Sequence, residues 1–286
     1  MIFLWLSILS STGIYFIFKI RERLKARLLG IIIINYLVAA TLGLLSSNTD
    51  LAGTQLLSSG WLPIAGIIGF LFVVMFFLIG HSTAKAGMSL TTIATRMSMI
   101  FPIFFSLFLF DEQISLLKLG KIAFTLVAVA LAIYQPPRKN IKTLYTFLPL
   151  ILFIGSGSVD TLVKTAQHRF VPDHQIQLFS SVLFGTSLLA SLLFIPFTRE
   201  KLNIFSFRSL PLGIALGLAN FGSLFFLMKA LNNSGLDSSL VFGINNLAIV
   251  CFSLLLGFFL FKEQLSKLNR IGVVLSLIGI ILLTQL

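Results

Sequence analysis

Arg96 is the residue of this chain whose type and setting most need an explanation. It lies inside a long apolar run, where a charged side chain is costly enough to mark a functional position by default. A guanidinium fork suits bidentate recognition of a carboxylate or phosphate. Thr92 and Thr95 fall on nearly the same helix face. Pro102, further along, should kink that helix and free the carbonyl of Ser98. Together these residues read as a substrate wall. The competing reading has Arg96 snorkel to the interface or bond backbone carbonyls.

Asp160 is the second intramembrane charge, with Ser156 one turn before it and Lys164 one turn after. Gly155 and Gly157 would let another backbone approach closely. Asp160 reads either as a protonatable carboxylate or ligand for a substrate amine, or as half of a local pair with Lys164; both readings stand. Asn245, Asn246 and Asn220 add amides to the second half of the chain, as helix glue or as polar lining. The expected substrate-binding set is therefore Arg96, Asp160, Asn220, Asn245, Asn246 and Thr92. On straight helices, Arg96 and Asp160 fall in opposite leaflet halves, with an axial gap of about 12 Å and no direct salt bridge.

Other reactive residue types carry less. His81, His168 and His174 are scattered, no H-E-x-x-H run occurs, and the lone Cys251 lies in an apolar run. No catalytic residue, metal or cofactor is expected. Glu112 and Glu263 read as structural, each placed just before a new helix whose positive end a carboxylate can meet. Gly213 and Gly217 form a G-x-x-x-G pair suited to close packing.

The elements that position these residues are set by hydropathy. Of the 286 residues, 57% are hydrophobic and 10% charged, with mean hydropathy +1.02. Apolar runs near twenty residues match the roughly 30 Å hydrocarbon core of a bilayer. Ten helices are expected near 2–20, 28–46, 61–81, 90–110, 119–134, 146–166, 175–197, 210–231, 240–261 and 270–285. The fifth and tenth are short enough to need shielding by protein. The net charge of +12 lies in short loops, which points to membrane orientation rather than nucleic acid. The basic cluster follows the first apolar run, the reverse of a cleavable leader.

The two halves resemble each other. Leu62-Pro63 matches Leu210-Pro211, and Gly87 matches Gly235. Phe110-Asp-Glu-Gln-Ile-Ser115 matches Phe261-Lys-Glu-Gln-Leu-Ser266. Repeats of five helices each must lie inverted in the membrane. The expected organisation is an all-α integral membrane protein with a first repeat over 1–135, a linker over 136–145 and a second repeat over 146–286. Fifteen of the 21 basic residues fall in odd-numbered loops, placing those loops in the cytoplasm and both termini outside.

The two helix-end motifs, each followed by a short helix with an early glycine (Gly120, Gly272), resemble the drug/metabolite transporter superfamily, in particular its EamA-type ten-helix members. Pro102 matches the family's fourth-helix proline; Ser253 stands at its counterpart in the second half. The resemblance implies a secondary transporter in a prokaryotic plasma (inner) membrane. It would move a small metabolite or drug-like solute by alternating access, as exporter or exchanger, with proton coupling through Asp160 as an option. A monomer holding both repeats suffices, and a homodimer is compatible. An intramembrane enzyme and a lipid or lipid-linked-sugar translocase are the alternatives.

Overall fold

The computed structural model describes residues 1–46, 59–101, 116–134, 143–172, 175–197, 206–233 and 238–284. Ten α-helices and one short 3-10 turn, Ile195–Phe197, lie within these residues, and Ile100 and Phe101 are helical as well. The helices are α1 (Ile2–Leu24), α2 (Leu28–Ser46), α3 (Leu62–Lys85), α4 (Met88–Met97), α5 (Leu116–Ile133), α6 (Thr143–Arg169), α7 (Ile176–Leu193), α8 (Ser209–Asn233), α9 (Ser238–Phe261) and α10 (Lys267–Thr284). Each expected apolar run has a helix among the described residues, the fourth over only part of its expected length, and several are extended by a turn of polar residues. The regular part of α4 stops at Met97, and Ser98 and Met99 form a turn. Pro102 and the motif Phe110–Ser115, with Glu112, lie outside the described residues, as does most of the 136–145 linker.

Among the described residues, six helices carry stretches long and apolar enough to cross a membrane: Ile2–Leu24, Leu28–Ser46, Leu62–Lys85, Phe147–Ala166, Ser209–Ala230 and Val241–Phe261. Gly120–Ile133 in α5 and Leu178–Leu193 in α7 are shorter apolar stretches. Large apolar side chains such as Trp5, Ile67, Phe70, Val127, Leu193 and Phe259 are exposed on the outer faces of these helices. Lipid solvates that surface, while the backbone polar groups are satisfied within each helix. The chain is a multi-pass integral membrane protein.

Packing follows the internal symmetry. α2 packs on α7, α4 on α9 and α5 on α10. Each is a first-half helix meeting its own counterpart five helices later, the pattern a two-fold inverted repeat produces. The two helices expected to need shielding, α5 and α10, shield each other.

Contacts gather into two compact units, residues 1–19, 78–160 and 222–286, and residues 20–77 and 161–221. In the second unit, α2 is buried almost all round, from Leu28 to Tyr36. Lipid is as apolar as leucine, so this helix is held by close packing and polar contacts rather than by escape from water. Gly213 and Gly217 supply the closeness: a Cβ at Gly217 would lie 2.8 Å from the Asn35 carbonyl and 2.6 Å from Val38 Cβ. Trp61 Nε1 donates to Gln175 Oε1 at 2.9 Å. The first unit contains α4, α5, α9 and α10, and with them Arg96 and Asp160.

Candidate functional site

Arg96 depends on where α4 is held, and α4 has no cap of its own. It begins after Gly87, whose φ of 100° lies in the region open to glycine but strained for other residues. Glu263, in the turn between α9 and α10, supplies the cap. Its carboxylate accepts from Met88 N–H at 2.7 Å, Ser89 N–H at 2.9 Å and the Ser89 hydroxyl at 2.8 Å. Lys19 of α1 reaches Glu263 Oε1 at 3.1 Å and donates to the Thr83 carbonyl of α3 at 3.0 Å. A Cβ at Gly87 would lie 2.9 Å from Glu263 Oε1, so this position needs glycine for space as well as for φ. Burial pushes the Glu263 carboxyl up. The hydrogen bonds from Ser89 and Met88 and the Lys19 charge outweigh it, and the net pKa lies below the ordinary glutamate value.

Glu263 was expected to cap the helix that follows it, but it caps α4. α10 is capped by Ser266 in a reciprocal box: Asn269 N–H donates to Ser266 Oγ at 3.1 Å, and Asn269 Oδ1 accepts from Ser266 N–H at 3.3 Å and from its hydroxyl at 2.6 Å. The Asn269 amide also donates to the carbonyls of Ala132 and Tyr134, at 2.9 and 2.8 Å. One side chain thereby closes the start of α10 and the end of α5, where carbonyls lack helical partners.

With α4 fixed, its polar face can be followed. Thr92 is buried and its hydroxyl donates to Met88 O at 2.9 Å. Thr95 Oγ1 contacts Thr91 O at 2.9 Å and meets the Tyr15 hydroxyl of α1 at 2.7 Å. The Arg96 guanidinium lies over the Tyr15 ring, 5.6 Å from its centroid, a distance at which the cation feels the ring's negative face. Arg96 Nε is buried without a hydrogen-bond partner. Ser98 Oγ donates to Thr95 O at 2.6 Å and lies 3.4 Å from Asp160 Oδ2 of α6.

Asp160 therefore faces α4 two residues along from Arg96, and its charge is within electrostatic reach of the guanidinium. The gap of about 12 Å expected from straight helices is not what the fold adopts. A helix regular over 90–110 is interrupted here by the turn at Ser98 and Met99. The two charges still form no ion pair; among the described residues the pair within 4.0 Å is Lys19–Glu263. Asp160 faces Ser98 from α6. Gly157, one turn earlier on α6, lies against the Phe101 ring and leaves no room for a Cβ.

The amides divide. Asn245 is buried on α9 with Oδ1 unpartnered, and Asn246 donates to Phe242 O at 3.0 Å. Asn220 belongs to the second unit, where its amide meets that of Asn35 on α2 at 3.2 Å. The sequence does not single out Tyr15, Thr12 or Asn269, or the hydroxyls of Ser98 and Ser253. Thr12 Oγ1 and Ser253 Oγ are, like Asn245 Oδ1, buried polar atoms of the first unit without partners. Ser, Thr and Tyr inside apolar helices were the available signal, but single hydroxyls of that kind are too common to choose among without the fold.

Residues 144–285, the second half of the chain, match the EamA-like transporter family. This half of the chain belongs to that family. A Haemophilus influenzae protein described as uncharacterized is 26% identical over 287 residues, covering 98% of this chain and 96% of its own length. A solved crystal structure shares the fold with TM-score 0.61 at 16% identity, over 98% of this chain and 94% of that one. The EamA-like match extends through the Phe261–Ser266 motif, so the turn that caps α4 belongs to the part of the chain that defines the family. The protein is thus a secondary membrane transporter, with two opposite charges placed around α4.

Proposed function

We propose that this transporter moves a small amphoteric metabolite by alternating access, as an exporter or exchanger in a prokaryotic plasma membrane, with Arg96 holding its acidic end and Asp160 its basic end. The observation that carries the reading is the pair itself. Opposite charges lie close enough to act on each other, yet neither closes on the other, and Arg96 keeps a buried donor unpartnered. Unpaired charge in a membrane is costly, and a solute bearing both charges would satisfy the two groups at once. Thr92 lies on the same helix, and Asn245 and Asn246 belong to the same unit with a free amide oxygen among them. Asn220 enters this reading only as a helix contact to Asn35.

Thermal stability of the purified chain against amino acids, nucleotides, sugars and cationic drugs tests the proposal. A ligand at 100 times its Kd should stabilise by about 2.7 kcal/mol. Zwitterions should give the shifts, and Arg96→Ala or Asp160→Ala should abolish them. A hit indifferent to both substitutions would remove these residues from the site. Proton coupling through Asp160 predicts that Asp160→Asn in proteoliposomes ends any response of uptake to an imposed pH gradient; an unchanged response would discard it. Turnover of the compound in detergent, without vesicles, would favour an enzyme instead.

A further inference from the structure

A second polar centre lies in the other unit, where α1 turns into α2. α1 ends in a reciprocal turn: Ala26 N–H donates to Arg21 O and Lys25 N–H to Glu22 O, both at 3.1 Å. This is the motif in which glycine usually occupies the left-handed position. Here Lys25 occupies it, with φ 51°, so a strained backbone is kept together with a charged side chain. Arg208 and Ser209, at the start of α8, meet this turn. Arg208 Nη1 donates to Leu24 O at 3.2 Å, and Arg27 N–H donates to Ser209 Oγ at 3.1 Å.

Among the described residues, five basic ones, Arg21, Arg23, Lys25, Arg27 and Arg208, thus belong to this turn and the start of α8, with Glu22 as the acid between them. Arg21 Nε and Nη1 are buried without hydrogen-bond partners. Buried donors of a charged group are ordinarily satisfied, so these two point to an anion supplied from outside the chain. Beside them is an apolar shoulder: Phe207 is 94% exposed, Leu210 51% and Leu24 44%. A water-soluble anion would answer the guanidinium and leave Phe207 uncovered. A membrane lipid answers both, with phosphate against the arginines and acyl chain against the aromatic ring.

We propose that the α1–α2 turn and the start of α8 form a binding site for an anionic phospholipid, with Arg21 as the principal phosphate ligand and Arg208 as the second. Basic residues at a membrane surface attract anionic headgroups. The buried Arg21 donors and the adjoining exposed apolar side chains turn that general attraction into a site with a headgroup end and a chain end.

Thermal unfolding of the full chain in a neutral detergent, titrated with phosphatidylglycerol, phosphatidylcholine or inorganic phosphate, tests it. Phosphatidylglycerol should raise Tm saturably, and the other two should not. Arg21→Gln and Arg208→Gln should each weaken the apparent affinity about fivefold, the effect of one basic residue at a membrane surface. Phe207→Ser should weaken it while leaving the headgroup preference. Equal shifts from the two lipids, an equal shift from phosphate alone, or unchanged affinity in Arg21→Gln would each overturn the proposal. If Arg21→Gln does not fold, native mass spectrometry of the unaltered chain decides: preferential retention of phosphatidylglycerol over phosphatidylcholine supports the site, and equal retention overturns it.

Discussion

Replacing Glu263 tests the reasoning most directly, because one carboxylate from the second half of the chain caps a helix in the first. Its side chain is 13% exposed and that of Lys19 16%, so solvent screens the group only in part. A hydrogen bond to a charged group contributes about 1.5–3 kcal/mol, and Glu263 accepts three of them. The contributions do not add fully, since Ser89 provides two and its hydroxyl can turn elsewhere. Favourable interaction with the positive end of α4 adds about 0.3–1 kcal/mol. Glu263→Ala should therefore destabilise the protein by about 3 kcal/mol. Glu263→Gln, which keeps an acceptor oxygen and loses the charge, should cost about half of that. The assay is reversible unfolding in detergent, with Lys19→Met and the double variant completing a cycle. The pair should couple by about 1 kcal/mol, diminished at high salt. The folded-state pKa is lowered. The contribution is thus fully present above the unfolded value of about 4.3 and is lost as pH falls through the folded value. Wild type should approach Glu263→Gln in stability over that acid range, while the variant changes little. An alanine variant within about 0.5 kcal/mol of wild type would show that the cap is not what holds α4.

Two further substitutions probe the same framework. Gly87→Ala should cost about 3 kcal/mol, the upper end of the strain of a side chain in a backbone region essentially confined to glycine, because the new Cβ also displaces the Glu263 carboxylate; combined with Glu263→Ala the two losses should fall short of their sum, and simple additivity would count against a shared cause. Asn269→Asp keeps the acceptor that caps α10 and removes the donor to α5, so a loss of about 2 kcal/mol in unfolding experiments would isolate the link between the two helices, and no loss would refute it.

The membrane class, the number of helices and the repeat could be read directly from the residues, because apolar length and period depend on local sequence alone. The run Gly30–Tyr36 must be helical in lipid whatever surrounds it, and two five-helix repeats must lie inverted whatever they carry. Arg96 and Asp160 also stood out, since charge inside an apolar run is visible without a fold. What the residues left open was partnership. Nothing near Glu263 in the chain says that its carboxylate reaches Met88 and Ser89, 175 and 174 residues away. Nor does local sequence say that Asp160 meets Ser98, that Tyr15 lies under Arg96, or that Asn220 is taken up by Asn35. Those contacts depend on helix crossing and on where α4 loses its regularity. The sequence by itself determined which segments leave water and which charges are out of place there. Only the tertiary structure decided which of them meet, because a hydrogen bond is set by ångström distances in space and hydropathy by position along the chain.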